Sequence, residues 1–350
     1  MSRFFSEKYR LLVPYVPGEQ PQDRNYVKLN TNESPFPPSP FAQNFARRAA
    51  GDLQLYSDPD CKALKSLASE KFGFPEDQII FTNSSDELLN FAFMAFCDGK
   101  TPAAFPDVTY GFYPVFSKLC GVDYTEIPLK NDFTINVNDY TGIKKTIFIA
   151  NPNAPTGLSL PLSEIEKIVS SNRDNVVVID EAYVDYGTES AIKLVNKYDN
   201  LLVCRTFSKS RSLAGARLGF GFACKELISD LETIRYSTNP YNVNRMTMAA
   251  GIGALYDEEY FENNCKEIIK TREYTKKELE RLGFYVTDSA ANFLFASHDK
   301  IGGKELYLKL KEKGILIRHF DLPRIENFNR ITVGAKEDMA FLIKTLEEIL

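Results

Sequence analysis

The sequence predicts an α/β fold with a mostly parallel central sheet flanked by helices, and a smaller α+β domain beside it. From about residue 59 to 245, short apolar runs rich in β-branched residues alternate with amphipathic helical patterns, as in successive βαβ units. After residue 245, one long charged helical pattern precedes short apolar strands arranged on a different plan. We therefore divide the chain into a large domain, residues 45–245, and a second unit formed by residues 1–44 and 246–350.

Length and charge limit the kind of protein this is. The 350 residues suffice for about two domains, and 42 Lys+Arg against 47 Asp+Glu give a net charge of −5. That balance argues against nucleic acid as a partner. The longest nearly apolar stretch, residues 88–97, is far shorter than the roughly 20 residues that cross a bilayer, so no membrane association is expected. Residues 1–10 lack the pattern of a signal peptide, and we expect a cytoplasmic protein.

The elements of the large domain follow in order along the chain. Apolar runs bounded by polar residues predict strands, and amphipathic segments between them predict helices. Ser163 and Glu166 have the spacing of a capping box, which indicates a helix beginning there. The predicted strands are 78–82, 101–105, 146–150, 176–180, 201–205 and 217–223, and the predicted helices are 60–72, 86–97 and 163–171.

The second unit begins with a proline-rich segment. Seven prolines in the first 45 residues prevent a regular element throughout, so we expect an extended arm packed on the body or on a partner subunit. Towards the C-terminus the pattern predicts a long helix and then alternating strands and a last helix. These elements are the helix 257–282, the strands 292–296, 315–318 and 330–333, and the helix 336–350.

Cysteine and histidine usage excludes several kinds of site. Six cysteines lie at wide, irregular spacings, and only two histidines, His298 and His319, are present. A zinc site needs ligands clustered at short spacing, so no metal site is predicted. Neither histidine accompanies a Gly-x-Ser-x-Gly motif, which argues against a Ser-His-Asp hydrolase.

The most informative stretch is residues 176–183 (VVVIDEAY), an apolar strand that ends in Asp180. Such a carboxylate lies at the carboxyl edge of a parallel sheet, where α/β proteins bind ligands. A Walker B strand has the same pattern, but it requires a Walker A loop. The Gly-Lys-Thr at 99–101 would need a glycine at position 94, where Met94 stands. A nucleotide hydrolase is therefore not supported.

A second cluster follows the next predicted strand. Lys209, with Ser208 beside it, is placed to form a Schiff base with an aldehyde cofactor. Arg217, flanked by glycines that permit close backbone approach, suits an anion. With Asp180 as partner for a pyridinium nitrogen, this set of residues matches pyridoxal 5′-phosphate (PLP).

At these residues the chain resembles the fold-type I, aspartate-aminotransferase-like PLP enzymes, a family of class I/II aminotransferases. The resemblance covers nearly the whole length and includes segments that precede and follow the lysine. The matching segments are 29–35 (LNTNESP), 56–59 (YSDP), 83–87 (NSSDE), 106–113 (PDVTYGFY), 151–157 (NPNAPTG), 290–293 (AANF), 314–318 (GILIR) and 330–334 (RITVG).

The resemblance implies a role for each matching residue. Lys209 would hold the cofactor, Asp180 would pair with its ring nitrogen and Tyr183 would hydrogen-bond its phenolic oxygen. The other implied cofactor contacts are ring stacking by Tyr110, phosphate binding by the backbone amides of Ser84, Ser85 and Asp86 together with Ser208 and Arg217, and a contact of Tyr56 with the phosphate of the neighbouring subunit.

Further implications concern the substrate and the assembly. The contact of Tyr56 implies a homodimer with shared active sites. Arg330 would grip the substrate carboxylate, Asn32 would also face the substrate, and Arg318 would either contact a substrate phosphate or edge the sheet.

The chain departs from the family pattern at two positions. Ala154 stands where the family often has Asn, so we expect Asn153 to contact the phenolic oxygen instead. Ser84 stands where glycine is common in the phosphate turn.

The activity implied by the resemblance is amino transfer between small molecules, from L-glutamate to imidazole-acetol phosphate. An ionised Asp180 keeps the pyridine nitrogen protonated, and a neutral Lys209 moves the proton at Cα. Three alternatives remain open: a threonine-phosphate decarboxylase-like enzyme, an aromatic amino-acid aminotransferase, and a non-catalytic aminotransferase-like binding module. The last is disfavoured because residues 1–45 have no helix-turn-helix pattern.

Overall fold

The computed structural model describes residues 2–10 and 12–350, in which strands and helices alternate before a second, smaller sheet forms. The strands are β1 (Val27–Lys28), β2 (Ile79–Asn83), β3 (Ala103–Pro106), β4 (Tyr124–Ile127), β5 (Thr146–Ala150), β6 (Val177–Asp180), β7 (Leu201–Thr206), β8 (Leu218–Phe222), β9 (Phe284–Val286), β10 (Phe293–His298), β11 (Ile315–Leu316), β12 (Arg318–His319) and β13 (Phe328–Thr332). The α-helices are α1 (Pro40–Ala49), α2 (Lys62–Phe72), α3 (Ser84–Phe96), α4 (Tyr113–Cys120), α5 (Leu162–Ser171), α6 (Lys225–Thr238), α7 (Arg245–Tyr256), α8 (Glu258–Arg281), α9 (Gly303–Glu312) and α10 (Lys336–Ile349).

The larger sheet has the order β2-β8-β7-β6-β5-β3-β4, and β8 runs antiparallel to both of its neighbours while the other pairings are parallel. Side chains alternate between its two faces, so Val177 and Ile179 enter one apolar core and Val178 the other. Both faces are therefore buried, which explains why these strands are continuous apolar runs. The predicted α/β fold class is confirmed.

The smaller sheet, antiparallel with the order β12-β13-β10-β9, has a separate apolar core that includes residues of α8, α9 and α10. The strand predicted at 315–318 is divided at Ile317. Its first half, β11, pairs in parallel with β1, and its second half, β12, pairs with β13. The N-terminal segment is thus joined to the small sheet. Within the described residues, no helix is long and apolar enough to cross a membrane.

The N-terminal arm packs on the body of its own chain and contacts both units. Tyr15 stacks on Phe112, which precedes α4, with ring centroids 4.2 Å apart. On the other side, Arg318 in β12 donates hydrogen bonds to the carbonyl oxygens of Val16 and Pro17 at 2.9 and 3.1 Å. The arm therefore bridges the large and the small sheet.

One local prediction was wrong. Helix α5 begins at Leu162, after Pro161, and no side chain caps its N-terminus. Ser163 is therefore the second residue of the helix and not its N-cap, and the Glu166 carboxylate accepts a hydrogen bond from the Tyr198 hydroxyl at 2.9 Å. The tertiary contact replaced the local one.

The packing of α7 bears on where the large domain ends. Ala250, Ala254 and Leu255 of this helix are buried in one core of the larger sheet, and α7 packs against α1. We therefore propose that the large unit extends through α1 and α7, with the change to the second unit near Asp257 and not at residue 245.

Gly219 in β8 allows the start of α3 to approach the sheet. A Cβ atom at this position would lie 2.3 Å from the carbonyl carbon of Ser84 and from the amide nitrogen of Ser85. Both atoms are backbone, so the clash cannot be relieved by a side-chain rotation. Gly219→Ala should lower the free energy of unfolding by about 1–3 kcal/mol or more, measured by urea denaturation. Gly51→Ala is the matched control, because no atom lies within 4 Å of its added Cβ, and equal effects of the two substitutions would contradict the packing argument.

Candidate active site

A cavity of about 300 Å³ opens where several strands of the larger sheet end. Strand β6 ends at Asp180, and β7 ends at Thr206, followed after Phe207 by Ser208 and Lys209. Because β8 runs in the opposite direction, Arg217 at its start reaches the same edge. Polar residues distant in the sequence therefore line one cavity at the carboxyl edge of the sheet, as expected for ligand sites in α/β proteins.

Asp180 is a carboxylate held almost out of contact with water, with 5% of its surface exposed. The Tyr113 hydroxyl donates to its Oδ2 at 3.2 Å, and the Ala182 amide donates to its Oδ1 at 3.2 Å. Burial raises the pKa of Asp180 to about 7, although the hydrogen bond from Tyr113 and the charge of Lys209 oppose this rise. A cationic partner in the cavity would restore the ionised form.

Lys209 lines the same cavity as Asp180. Its Nζ atom donates to the carbonyl oxygen of Thr31 at 3.4 Å and lies 5.7 Å from the ring centroid of Tyr183. Neither contact is an ion pair, so no carboxylate of the described residues 2–10 and 12–350 holds this amine. An amine in this setting is suited to react with an aldehyde.

The same cavity contains an anion-binding arrangement. Arg217 forms an ion pair with Asp86 at 2.8 Å, and Asp86 also accepts a hydrogen bond from the Tyr110 hydroxyl at 2.6 Å. Ser208 is buried, and its amide and hydroxyl both contact the Thr206 hydroxyl, at 3.1 and 3.0 Å. The Asp86 carboxylate shows that this guanidinium is placed to bind an anion.

The phosphate turn at the start of α3 differs from the prediction in one detail. Ser84 adopts a left-handed backbone with φ of 69°, so a serine takes the conformation for which glycine is usual. Its amide donates to the carbonyl oxygen of Arg217 at 3.0 Å and is not available to a phosphate, which corrects the prediction for Ser84. The amides of Ser85 and Asp86 belong to the first helical turn, whose N–H groups have no intrahelical acceptor.

Two arginines lie next to each other on the small sheet. Arg318 and Arg330 are direct cross-strand partners of β12 and β13. Burial lowers the pKa of Arg330, whose Nε atom is buried without a hydrogen-bond partner in the described part of the chain. One of its terminal nitrogens donates to the carbonyl oxygen of Asn30 at 3.0 Å. The unpaired Nε indicates that Arg330 has bonding capacity left for an anionic ligand.

The structure does not support a cofactor contact for Asn153. Its side-chain nitrogen donates to the Val108 carbonyl at 2.9 Å and to the Thr156 hydroxyl at 3.0 Å, and its oxygen accepts from Thr109 at 2.7 Å. It lines a different cavity, whereas its neighbour Ala154 lines the one with Lys209. The side-chain nitrogen and oxygen of Asn153 are therefore both occupied by hydrogen bonds within this loop region. The prediction that Asn153 contacts the cofactor is corrected.

Asn32 does not face the cavity either. It is only 1% exposed, and its side-chain nitrogen donates to the Tyr183 hydroxyl at 3.0 Å. Its neighbours Thr31 and Glu33 line the cavity instead. The predicted substrate contact of Asn32 is therefore replaced by a contact with a residue of the cavity wall.

Arg318 and Tyr56 contact other parts of the chain. Both terminal nitrogens of Arg318 bind carbonyl oxygens of the N-terminal arm, so in this structure it holds the arm. Tyr56 is 80% exposed, stacks on Tyr241 with centroids 4.6 Å apart, and is not among the described residues that line its own chain's cavity.

Tyr113 is the functional residue that sequence reasoning missed. It lies three residues after Tyr110 in a segment already singled out, but only the fold shows its hydroxyl on Asp180. The available signal was a tyrosine at the first position of a helix that follows a strand-end loop. That signal does not identify its partner.

The donor set fits PLP. Free amides of Ser85 and Asp86 with Arg217 suit a phosphate, Asp180 suits a protonated ring nitrogen, and Lys209 suits an aldehyde carbon. The close approach of the α3 turn to β8 at Gly219 brings these amides to the cavity. A parallel sheet with these groups at its carboxyl edge defines the class of lysine-tethered PLP-type enzymes.

Comparisons with known proteins give the family. The family model described as aminotransferase class I and II matches residues 24–346, and the chain belongs to that family. A histidinol-phosphate aminotransferase of Brachyspira hyodysenteriae is 49% identical and aligns with 100% of this chain and 99% of its own. One of Clostridium beijerinckii is 46% identical, with 100% of this chain and 98% of that protein covered.

Solved structures show the same fold. The histidinol-phosphate aminotransferase of Sinorhizobium meliloti, in complex with pyridoxal-5′-phosphate, superimposes with a TM-score of 0.90. The alignment covers 100% of this chain and 99% of that one at 22% identity. The fold is therefore retained at a sequence distance where most side chains differ.

The raised pKa of Asp180 has a consequence for stability in the cofactor-free protein. The folded pKa of about 7 lies above the usual unfolded value of about 4, so the folded state binds more protons between these pH values. Stability is therefore lost as the pH rises from about 4 to 7. Asp180→Asn removes this loss, and urea denaturation should show the variant gaining up to about 4 kcal/mol relative to the wild type across that window. Parallel pH profiles for the two proteins would contradict the assignment.

Proposed function

We propose that this protein is a PLP-dependent aminotransferase that exchanges an amino group between L-glutamate and imidazole-acetol phosphate, with 2-oxoglutarate and L-histidinol phosphate as the other pair. The observation on which the proposal rests is that Lys209, the buried Asp180 and Arg217 line one cavity. The specific substrate is supported by the relatives that are 46–49% identical over full length and named histidinol-phosphate aminotransferase.

The proposed chemistry divides between the cofactor and the protein. PLP, when bound, supplies an electron sink for the bond broken at the amino-acid Cα. Lys209 would tether the cofactor and, once displaced by the incoming amine, act as the base that moves a proton from Cα. Asp180, with a cation beside it, would be ionised and would keep the ring nitrogen protonated. Tyr113 and the Ala182 amide hold that carboxylate in one orientation.

The remaining cavity residues would orient the cofactor. Arg217, Ser208 and the amides of Ser85 and Asp86 would bind its phosphate, and the Asp86 carboxylate would have to leave Arg217 for this to happen. Tyr110, which lines the cavity, would stack on the ring, and Tyr183 would donate to the phenolic oxygen.

Arg330 and Arg318 are proposed to bind the substrate. One substrate ends in a carboxylate and the other in a phosphate, and planar guanidinium groups bind both anions with paired hydrogen bonds. Arg330 has an unpaired buried Nε, and its cross-strand partner Arg318 is held by arm carbonyls that an anion would replace.

The protein is further proposed to be a cytoplasmic homodimer with shared active sites. Tyr56 is exposed and does not line the cavity of its own chain. This is expected of a residue that completes the site of a second copy. Exposed apolar side chains at Leu53 and Leu55 lie beside it in the sequence and would be covered in such an interface. The described cysteines are all unpaired, which fits a reducing compartment.

The first experiment tests Lys209. Purified protein should absorb visible light from lysine-bound PLP, and borohydride should fix the cofactor to the chain. Lys209→Ala should lose the fixed cofactor and at least about a thousandfold in transfer rate, because both the tether and the base are removed. Lys193→Ala, a change at an exposed lysine, is the control. A Lys209→Ala protein with full turnover would remove this residue from its proposed role.

Substrates tested side by side decide the specificity. Histidinol phosphate, phenylalanine and threonine phosphate should be supplied with 2-oxoglutarate, and histidinol phosphate should give the highest kcat/KM. Release of carbon dioxide from threonine phosphate would select a decarboxylase, and preference for phenylalanine an aromatic aminotransferase.

Mixed dimers test the shared site. Lys209→Ala and Tyr56→Ala chains each lack one component, but a dimer of the two has one site with both Lys209 and Tyr56 intact. Random pairing of equal amounts should restore about a quarter of the wild-type sites. Activity in the co-refolded mixture no higher than the average of the two variants would show that Tyr56 does not act across the interface.

A further inference from the structure

Asn32 is a buried residue with an unusual backbone between the two sheets. It is 1% exposed and has φ of 55°, a conformation that is uncommon for residues other than glycine. Its amide donates to the Thr332 hydroxyl at 2.9 Å, and its carbonyl accepts from the Asn292 side chain at 3.0 Å. A residue other than glycine keeps this left-handed conformation only where surrounding contacts hold it. Such a residue is often found at a functional site.

The hydrogen bonds around Thr332 fix which way the Asn32 side chain points. The Thr332 hydroxyl accepts from the Asn32 backbone amide, and its single proton goes to Asn32 Oδ1 at 3.0 Å. With the amide reversed, Asn32 would donate to Thr332, whose own proton would then have no acceptor among the hydrogen bonds of the described residues. The observed arrangement satisfies each group, so Asn32 Nδ2 is the atom that faces Tyr183.

This orientation determines what the Tyr183 hydroxyl can do. The hydroxyl accepts a proton from Asn32 Nδ2 at 3.0 Å, so its own proton is directed to another acceptor. Tyr183 lines the cavity beside Lys209 and Ala154, and the alanine side chain has no hydrogen-bond donor. The chain therefore presents one oriented hydroxyl proton at this part of the wall.

We infer that Asn32 is a positioning residue, which directs the Tyr183 hydroxyl proton into the cavity so that Tyr183 donates to the phenolic oxygen of PLP. The inference rests on the PLP-dependent function proposed above. A hydroxyl that already accepts a hydrogen bond is a stronger donor, and a bond to an anionic oxygen is stronger than one to a neutral oxygen. Asn32 thus acts on the cofactor through Tyr183, without touching it.

The bond has a measurable effect on the cofactor. A donor at the phenolic oxygen stabilises its anionic form and competes with the proton on the nitrogen that joins Lys209 to PLP. Loss of the donor should therefore raise the pH at which the visible absorption of bound PLP changes. The charged groups around the hydroxyl, Lys209, Arg330, Asp180 and Glu33, are unchanged in the variants below.

The experiment is an absorbance titration of the PLP-loaded enzyme, four single variants and one double variant. Tyr183→Phe removes the donor and should raise the transition by about one to two pH units. Asn32→Asp replaces the donor to Tyr183 by an acceptor, and Thr332→Val removes the group that orients the amide without changing charge. Both should shift the transition in the same direction as Tyr183→Phe. Thr332→Ser keeps the hydroxyl and should titrate like the wild type.

The double variant Thr332→Val/Tyr183→Phe should shift no further than Tyr183→Phe alone, because both changes act on one bond and neither alters a charge. Additive shifts would overturn the inference, as would a folded, PLP-loaded Thr332→Val protein that titrates like the wild type. If Asn32→Asp does not fold, Thr332→Val and Thr332→Ser still decide the question. A wild-type protein without visible PLP absorption would contradict the proposed function itself and not this inference alone.

Discussion

The site depends on a carboxylate kept away from water at the end of a buried strand. Asp180 continues the apolar run of β6 to the edge of the sheet, so the fold itself imposes its burial. An ion in such a place is unfavourable until an opposite charge joins it. The protein tolerates this cost because Tyr113 and the Ala182 amide already point at the carboxylate. Their dipoles are in place before any ligand arrives, which is the arrangement that electrostatic preorganisation requires.

The parts of the fold and site that sequence could predict are those determined by local pattern. Apolar runs located six of the seven strands of the larger sheet to within a few residues, and β5 coincides with the predicted 146–150, whereas β4 was not predicted. Residues at strand ends, such as Lys209, were identifiable because the edge of a parallel sheet is a known location. The contacts of Asn153, Asn32 and Tyr113 were not predictable, because each depends on which distant backbone or side chain comes within 3 Å. Helices α1, α4, α6, α7 and α9 were not predicted, and only for α7 does a weakly amphipathic pattern account for the miss.

Three of the seven non-glycine residues with positive φ in the described part of the chain lie at the cavity or next to residues that line it. Ser84, Arg217 and Asn32 all have positive φ, although none is glycine. In each case a specific hydrogen bond holds the residue. The Ser84 amide donates to the Arg217 carbonyl oxygen, and the Asn32 amide donates to the Thr332 hydroxyl. The local backbone preference of these three residues is overruled by tertiary contacts, as often happens at functional sites.

The N-terminal arm contacts both the large and the small unit outside the cavity. Its Tyr15 ring rests on Phe112 of one unit, while its carbonyl oxygens at Val16 and Pro17 hold Arg318 of the other. Any movement of one unit relative to the other must therefore break the contact of the arm with Phe112 or its contact with Arg318. Release of the arm and movement of the two units are therefore linked, so a molecule that binds the Arg318 guanidinium in place of the arm carbonyls would also free the arm from the small sheet.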